Sequence, residues 1–444
     1  MIRRLPPVFA VVAILVVACT RTPAANAPIA SGPLTAIRFG KLVTGTGTVL
    51  GDAVVIVQAD RVIGVGTGDL AVPAGATVTD LRGYTGIPGM VDVHTHMTYY
   101  WDHAPGSRPF GAGNTRRTPV ELATVAMENA RLTLETGVTT VRDLGASNYV
   151  DIMMRDRINR GEAIGPRMFV AGYGLQKVVT QPGASGRSGG AGAPAGPGWL
   201  RSRITTPADI DSAVKTQVDS GADVIKMYGS RGTGADTSTT QTFTYAEMKA
   251  AVDAAHKFGR RIAIHSYGAA GGRDAVRAGT NTLEHSIELD DATLAQMARQ
   301  GTVYVPTIDH NRYYADFRAD YGYTDDQARG LDQYRAKNLD AARRAIRAGV
   351  RLAMGSDAVH MMFGQNTREL GFFVQAGMTP AQALASATTT GADVLGMADQ
   401  IGKVAPGFFA DIVAVQGDPL ADVNVTINGV KWVMKGGKVV VDRR

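Results

Sequence analysis

Cysteine is almost absent from this sequence of 444 residues, which contains one, at position 19. A single cysteine excludes a disulfide framework and a metal cage built from thiolates, so a bound metal would need histidine or carboxylate ligands. An excess of one charge is also lacking, because the formal net charge is +6 and the basic residues are scattered. We therefore expect no nucleic-acid partner. The 45% of hydrophobic residues, with 53 Gly and 19 Pro, is typical of a folded globular protein.

A long hydrophobic run is missing as well. The apolar stretch at residues 8–18 is too short to span a bilayer and has the layout of a secretory signal. It ends in Val-Val-Ala-Cys, which resembles a bacterial lipobox, the signal in which the cysteine is acylated with lipid. We therefore predict a lipoprotein-type signal peptide at residues 1–18, lipidation of Cys19, and a tether at residues 19–33.

Plain export is the alternative to lipidation, with cleavage after the triplet Ala25-Asn26-Ala27. Both readings place the mature protein outside the cytoplasm, in the periplasm or, as a lipoprotein, at the outer membrane. Contact with a membrane is then expected through the N-terminal lipid anchor alone.

Residues typical of strands are concentrated near both ends of the chain. Short runs rich in Val and Ile, separated by turn residues, fill residues 37–66 and return at residues 410–441. Neither end is long enough to bury a core alone, so we expect the two to pair. The prediction is a small composite β-sandwich domain of residues 34–88 plus 402–444.

The middle of the chain, residues 89–401, alternates helical segments with strands. Capping boxes at Thr118, Thr244 and Thr379 begin predicted helices. Others end at a glycine that a Val/Ile-rich run follows, and these are Gly137, Gly221, Gly259, Gly279, Gly301 and Gly349. The predicted strands cover residues 90–96, 138–144, 168–173, 223–228, 261–267, 281–286, 303–308 and 351–357. Eight strands predict an α/β fold, a (β/α)8 TIM barrel whose active site lies at the C-terminal strand ends. An open doubly wound sheet is the alternative, but no dinucleotide-binding glycine fingerprint follows the first strand.

Polar side chains stand at the C-terminal ends of five of these strands. They are His94 and His96 on the first, Lys226 on the fourth, His265 on the fifth, His285 on the sixth and Asp357 on the eighth. The two-residue repeat of a strand places His94 and His96 on one face. Lys226 lies in an apolar strand, where an unpaired ammonium would be unstable. Imidazoles and a carboxylate at one end of a barrel predict Zn²⁺ or a similar divalent ion.

These residues resemble the amidohydrolase superfamily, in the group where a His-x-His motif, a carboxylated lysine, two further histidines and an aspartate hold two metal ions. The tetrapeptides at 225–228 (Ile-Lys-Met-Tyr) and 304–307 (Tyr-Val-Pro-Thr) are similar to those of imidazolonepropionase-related Xaa-Pro dipeptidases and bacterial ochratoxin A hydrolases. The resemblance implies that His94, His96 and Asp357 hold the more buried metal, that His265 and His285 hold the more exposed one, and that a CO2-derived carbamate on Lys226 bridges both.

Such a site suits hydrolysis. Two cations lower the pKa of a shared water and polarise a carbonyl, and a neutral lysine can capture CO2. Asp357 is placed to take a proton from the water and to hand it to the leaving group. Tyr228, two residues after Lys226, shares its face and could stabilise the oxyanion. His310 and His360, after the last two strands, are predicted to line the substrate pocket.

One departure from the resemblance lies in the loop after the third strand, where many relatives have a histidine. Residues 181–198 are rich in Gly, Pro and Ser and contain no histidine. Any substrate contact that the histidine makes in relatives therefore has no counterpart in this loop. The density of glycine predicts either a mobile lid or an inert surface loop.

The resemblance implies an amide hydrolase that releases a C-terminal amino acid from a small acyl or aminoacyl compound, with ochratoxin A and Xaa-Pro dipeptides as the expected substrates. Aromatic residues in the loops, with Arg231 and Arg312, predict an apolar substrate that has a free carboxylate. One alternative is a deaminase or a hydrolase of cyclic amides and lactones; another is a lipid-anchored binding protein with a structural metal. Related dipeptidases also imply a homo-oligomer, such as an octamer.

Overall fold

The computed structural model describes residues 32–109, 117–177, 203–232 and 234–444. The predicted signal peptide, Cys19, nearly all of the predicted tether and the glycine-rich stretch at 181–198 lie outside these residues. Their assignments remain predictions. Within the described ranges, no helix combines the length and the apolar character needed to cross a membrane.

Strands and helices alternate through most of the described chain. The strands are β1 (Leu34–Val43), β2 (Val49–Gln58), β3 (Arg61–Thr67), β4 (Thr77–Pro88), β5 (Met90–Thr95), β6 (Val138–Asp143), β7 (Arg167–Val170), β8 (Gln176–Lys177), β9 (Arg203–Ile204), β10 (Val224–Tyr228), β11 (Arg261–Ser266), β12 (Thr282–His285), β13 (Val303–Val305), β14 (Ile412–Val415), β15 (Val430–Lys435) and β16 (Lys438–Asp442). The helices are α1 (Pro119–Val125), α2 (Met127–Glu135), α3 (Val150–Asn159), α4 (Asp209–Asp219), α5 (Tyr245–Lys257), α6 (Ala269–Ala278), α7 (Asp291–Gln300), α8 (Ile308–Asp316), α9 (Arg318–Tyr321), α10 (Asp325–Arg347), α11 (Glu369–Gln375), α12 (Pro380–Ser386), α13 (Thr389–Val394) and α14 (Val423–Asn428).

Both ends of the chain contribute to one seven-stranded sheet, in the order β16-β15-β14-β4-β1-β2-β3. A sandwich of two separate sheets was predicted, and the strands instead form a single hydrogen-bonded sheet. The reason is the length of β4, which pairs in parallel with β1 and antiparallel with β14. Phe39 and Leu81 from the first half and Ile412 and Trp432 from the second belong to one buried cluster, so the halves share a core.

The middle of the chain forms two larger parallel sheets, β5-β6-β7 and β10-β11-β12-β13, and a short parallel pair, β8-β9. The two larger sheets contain seven of the eight predicted strands. The eighth, at 351–357, is not a regular strand, and this part of the prediction was wrong. It makes isolated parallel bridges instead, from Leu352 to Tyr304 and, just beyond it, from Ala358 to Thr95. Asp357 has a φ of 52°, and this left-handed conformation interrupts strand pairing where its side chain enters the site.

Backbone hydrogen bonds connect the edges of these two sheets. They run from Asp223 N to Val170 O (2.7 Å), from Leu175 N to Lys226 O (2.8 Å), from Tyr304 N to Arg351 O (2.9 Å) and from Val93 N to Met354 O (2.9 Å). The first two join the β7 edge to β10, and the last two place the 351–357 segment between β13 and β5. The C-terminal strand ends of both sheets therefore meet at one site.

The helix boundaries follow the sequence signals. Capping boxes at Thr118, Thr244 and Thr379 are present as predicted, and Thr324 forms another. In each, the threonine hydroxyl accepts a hydrogen bond from the backbone N–H three residues later. The glycines that were expected to end helices have positive φ: Gly137, Gly221, Gly259, Gly279, Gly301 and Gly349. These turns return the chain to the sheet after each helix.

Candidate metal centre

All six residues predicted for the metal site lie together, and all are buried. Their exposed fractions are 0% for His94, 8% for His96, 1% for Lys226, 4% for His265, 2% for His285 and 5% for Asp357. Five of them belong to or follow strands β5, β10, β11 and β12. Because parallel strands end at the same edge, side chains from distant parts of the sequence converge there.

Asp357 lies in the middle of this group. Its Oδ1 is 3.3 Å from His96 Nε2 and 3.5 Å from His94 Nε2. Its Oδ2 is 3.2 Å from His310 Nε2 and 4.0 Å from His285 Nδ1. Among the described residues, ligand atoms of His94, His285 and Asp357 all lie within 4.8 Å of one another, which makes them a group that could hold a metal ion.

Burial sets the charge of these side chains. It lowers the pKa of His94 to about 4 and the pKa values of His265 and His285 well below the usual range, so these imidazoles are neutral, as metal ligands must be. Burial also lowers the pKa of Lys226 to about 8.

Hydrogen bonds fix which nitrogen carries the proton in two of the rings. His94 Nδ1 lies 2.8 Å from Glu284 Oε2, and His96 Nδ1 lies 3.1 Å from Gly145 O. A carboxylate and a carbonyl only accept, so both Nδ1 atoms are assigned as donors. The two Nε2 lone pairs then face Asp357 Oδ1, acceptor against acceptor. A cation among these atoms would relieve their repulsion, so the donor set fits a metal.

His265 gives a second indication that this site binds a cation. Its Nε2 is buried and has no hydrogen-bond partner among the described residues. The ring centroid is 4.6 Å from that of His285 and 4.9 Å from that of Tyr267. A buried polar atom without a partner is costly unless something binds it. His265 is therefore a candidate for a further ligand beside the group of His94, His285 and Asp357.

His310 was predicted to line the substrate pocket, and the structure places it against Asp357. Its Nδ1 donates to the Asp357 backbone oxygen over 2.8 Å, and its Nε2 faces the carboxylate. Its ring also packs edge-on against Tyr314 at 4.6 Å. His310 Nε2 is therefore close enough to the Asp357 carboxylate to exchange a proton with it, and its contact with substrate stays a prediction.

Tyr228 shares the face of Lys226, as the strand repeat predicts. The Lys226 Nζ atom lies 5.3 Å from the centre of the Tyr228 ring, and the ring is 5.7 Å from that of His265. Burial raises the pKa of Tyr228 above its usual value. The hydroxyl is therefore a proton donor at neutral pH.

His360 lies in an aromatic wall beside the site. Its Nδ1 is 3.1 Å from the Tyr321 hydroxyl, and its ring is 5.9 Å from that of Tyr99. Tyr99 in turn stacks on His96 at 4.7 Å. Burial lowers the pKa of His360 to about 3, so it is a neutral ring that can accept or donate one hydrogen bond.

Several residues of the site have left-handed backbone conformations, which are uncommon for residues other than glycine. The φ angles are 73° for His285, 53° for Thr307, 52° for Asp357 and 48° for His360. Thr307 Oγ1 lies 2.7 Å from His285 Nδ1. Such conformations cluster at functional sites, where the surrounding structure holds them.

Glu284 and Arg142 are charged neighbours of the site. The sequence predicted a structural ion pair between Arg142 and Asp143 and gave Glu284 no role, whereas in the structure Arg142 pairs with Glu284. Glu284 Oε1 accepts from Arg142 Nη2 over 3.0 Å, and the side chains are 0% and 1% exposed. Burial alone would raise the pKa of Glu284, but Arg142 and the bond to His94 hold it at about 2. The carboxylate is therefore ionised. The sequence feature that indicates a buried partner for Arg142 is its position within an apolar strand.

The two arginines expected to bind a substrate carboxylate, Arg231 and Arg312, differ in their surroundings. Arg312 is already paired on its own helix, with its Nε 2.6 Å from Asp309 Oδ1, so that prediction was wrong for Arg312. Arg231 lies in the loop after β10. A Cβ on its neighbour Gly232 would meet the Tyr267 ring at 2.5 Å, so this loop packs directly on the aromatic lining of the site.

Buried histidines, a lysine and an aspartate at the C-terminal edge of parallel strands are typical of hydrolases that work with bound metal ions. The chain matches the amidohydrolase family over residues 85–440 and belongs to that family.

The chain is similar to several characterised proteins over nearly its whole length. It is 28% identical to ochratoxinase of Aspergillus niger over 448 residues, which covers 94% of this chain and 89% of that protein. A solved Xaa-Pro dipeptidase with bound methionine in the active site has a TM-score of 0.80 and 29% identity, covering 91% of this chain and 99% of that chain. A prolidase complexed with N-methylphosphonate-L-proline has a TM-score of 0.80 and 25% identity, covering 93% and 100%.

Proposed function

We propose that this protein is a binuclear metal-dependent amide hydrolase that releases a C-terminal amino acid from a small acyl or aminoacyl compound. The observation that carries the proposal is the set of facing acceptors, in which His94 Nε2 and His96 Nε2 lie 3.5 Å and 3.3 Å from Asp357 Oδ1. Imidazole nitrogens and a carboxylate in this arrangement are typical ligands of a divalent cation. Membership of the amidohydrolase family supports hydrolysis as the reaction.

The proposed centre holds two divalent ions, with Zn²⁺ as the expected metal. His94, His96 and Asp357 would hold one ion, His265 and His285 would hold the other, and a CO2-derived carbamate on Lys226 would serve as a ligand to both. The buried partnerless nitrogen of His265 and the depressed pKa of Lys226 support this assignment. A neutral amine can react with CO2, whereas an ammonium cannot.

When bound, the metal ions supply an activated water and polarise the scissile carbonyl. Asp357 takes the proton of the attacking water and passes it to the leaving nitrogen. His310 Nε2, 3.2 Å from Asp357 Oδ2, can hold that proton between the two steps. Tyr228 donates its hydroxyl proton in a hydrogen bond to the oxyanion that forms at the carbonyl.

The proposed architecture is a closed (β/α)8 barrel of residues 89–401, with the small β domain built from residues 34–88 plus 402–444. Hydrogen bonds on both sides of the two parallel sheets support closure, including the bond from Val93 N to Met354 O of 2.9 Å. The fold of the solved relatives supports it as well. In such a barrel the active site lies at the C-terminal strand ends.

The expected substrate has an apolar or aromatic group and a free carboxylate. Tyr99, Tyr228 and Tyr267 surround the proposed metal positions and would contact a flat apolar group. The names of the ochratoxinase and Xaa-Pro dipeptidase relatives support an amide of an amino acid. We therefore propose hydrolysis of ochratoxin A to ochratoxin alpha and phenylalanine, with slower turnover of Xaa-Pro dipeptides. Arg231 is the candidate partner of the substrate carboxylate.

We also propose export and attachment to the outer membrane through lipid on Cys19, with the soluble periplasmic form as the alternative. The lipobox-like end of the signal segment supports lipidation. Small amides are the expected partners, and nucleic acids are not. A homo-oligomer such as the octamer of related dipeptidases is the expected assembly.

A product screen by mass spectrometry tests the proposal. Metal-loaded protein is incubated with ochratoxin A, N-acyl-phenylalanine compounds, Xaa-Pro dipeptides and aminated heterocycles. We expect a free amino acid and an equal amount of the acid from the first three groups. Release of ammonia from a heterocycle without release of amino acid would point to a deaminase. Two bound metal ions with no turnover would point to a binding protein.

A further inference from the structure

A pair of buried charges lies next to His94, on the side of the ring away from the proposed metal. Arg142 on β6 and Glu284 on β12 are 1% and 0% exposed. Arg142 Nη2 donates to Glu284 Oε1 over 3.0 Å, and Glu284 Oε2 is 2.8 Å from His94 Nδ1. The contacts therefore run from Arg142 through Glu284 to His94.

The orientation of Glu284 is set from the side of Arg142. The Arg142 Nε atom donates to Val93 O over 2.5 Å, and its Nη1 donates to Thr282 Oγ1 over 3.0 Å. The Thr282 hydroxyl also contacts Glu284 Oε1. A guanidinium is a donor only, so it requires an oxygen atom from Glu284 on its side. The second oxygen is left to face His94.

We propose that Glu284 is a positioning residue that keeps the proton of His94 on Nδ1 and so directs the Nε2 lone pair towards the metal. His94 Nε2 lies 3.4 Å from Lys226 Nζ and 3.5 Å from Asp357 Oδ1, which is where the proposed ligands meet. An acceptor behind a metal-binding imidazole fixes its tautomer and orientation. The inference rests on the proposed metal centre but concerns residues outside the proposed ligand set.

Glu284→Gln distinguishes this role from a contribution to stability alone. The amide has one oxygen where the carboxylate has two, and Arg142 requires that oxygen. The NH2 group then faces His94 Nδ1, which must accept, so the proton moves to Nε2 and the ligand lone pair is lost. We expect the dissociation constant for Zn²⁺ to rise by about 10- to 100-fold, measured with a competing fluorescent chelator.

Adding Arg142→Met to Glu284→Gln should reverse much of this loss. Without Arg142 the amide can turn its oxygen towards His94 and accept from Nδ1 again. If the pair serves stability alone, the single and double variants should bind Zn²⁺ as tightly as the wild type. Asp411→Asn is the matched control, because it removes the charge from another Arg–carboxylate pair, Arg167 to Asp411 at 2.6 Å. It should change thermal stability and leave the dissociation constant unchanged.

The tautomer itself can be read by ¹⁵N NMR of histidine-labelled, metal-free protein. We expect His94 to carry its proton on Nδ1 in the wild type and the double variant, and on Nε2 in Glu284→Gln. A wild-type His94 protonated on Nε2, or a Glu284→Gln variant with both tautomer and Zn²⁺ affinity unchanged, would overturn the inference. If the wild type bound no metal while His94 showed the Nδ1 tautomer, the proposed function would fail and the role of Glu284 in fixing the tautomer would stand.

Discussion

Replacement of Lys226 by methionine tests the bridging carbamate, because carbamate formation needs a neutral amine. Burial lowers the pKa of Lys226 from 10.5 to about 8. This change disfavours the ammonium by about 3 kcal/mol. At about pH 7.5 it leaves about a quarter of the amine neutral, against about one part in a thousand for an exposed lysine. The folded, metal-free protein therefore presents an amine that can react with CO2.

The assay is reconstitution of metal-free enzyme with Zn²⁺ in buffer depleted of CO2. Addition of bicarbonate should raise the amount of metal bound per chain. This increase should grow with pH and reach half its maximum near the Lys226 pKa of about 8, because only the neutral amine reacts and its fraction rises with pH. ¹³C-labelled bicarbonate should give a carbamate signal that Lys226→Met lacks. Lys226→Ala should lose metal and activity, and a short carboxylic acid should restore part of both.

Lys435→Met is the matched control for this substitution. Burial also lowers the pKa of Lys435, but the residue lies on β15 in the seven-stranded sheet, so its replacement should leave metal binding and turnover unchanged. Full activity of Lys226→Met would refute the bridging carbamate. Metal binding by the wild type that is independent of bicarbonate would also contradict it.

The remaining predictions concern catalysis, recognition and the anchor. Asp357→Asn should keep much of the bound metal but lower kcat by about 1000-fold or more, because the proton acceptor is lost; near-normal kcat would remove Asp357 from the mechanism. Tyr228→Phe should lower kcat by about 100-fold with little change in KM, and an unchanged kcat would exclude an oxyanion contact. Esterifying the carboxylate of an N-acyl-phenylalanine should reduce kcat/KM sharply, and an unchanged kcat/KM would show that the enzyme does not recognise the carboxylate. Cys19→Ala should move full-length protein from the bacterial membrane to the soluble fraction; wild type found wholly in the soluble fraction would refute lipidation.

The convergence of the six candidate residues could be predicted from the sequence because it follows local rules. His94 and His96 are two residues apart on one strand, so they share a face. Lys226 stands out because it interrupts an apolar strand. Helix-ending glycines and capping boxes mark where each helix ends or begins and so where the strands lie. Because parallel strands end at the same edge, the ends that carry His265 and Asp357 are predicted to meet.

Glu284 could not be predicted in this way, because strand alternation places it on the face opposite to His285. His285 has a φ of 73°, and its left-handed conformation turns the side chain back towards the site beside Glu284. His310 follows a similar turn at Thr307, with a φ of 53°. Backbone conformations of this kind depend on packing around the site, and residue order does not encode them locally.

The single sheet at the chain ends and the irregular segment at 351–357 have the same kind of cause. β4 lies outside the strand-rich runs predicted at 37–66 and 410–441, and it pairs with both β1 and β14, which are far apart in the sequence. The partner of Arg142 is 142 residues away, so no local pattern connects them. Contacts between distant segments therefore account for the parts of the fold that sequence patterns left open.

Hydrolysis in ¹⁸O-labelled water tests the central claim most directly. Metal-loaded enzyme is incubated with an N-acyl-phenylalanine, and the masses and amounts of the products are measured by mass spectrometry. We predict equal amounts of phenylalanine and the acyl acid, with one ¹⁸O atom in the new carboxyl group of the acid and none in phenylalanine, because water attacks the amide carbonyl. Intact substrate after full metal loading, or ¹⁸O in the phenylalanine carboxyl group alone, would contradict the assignment of this site to amide hydrolysis.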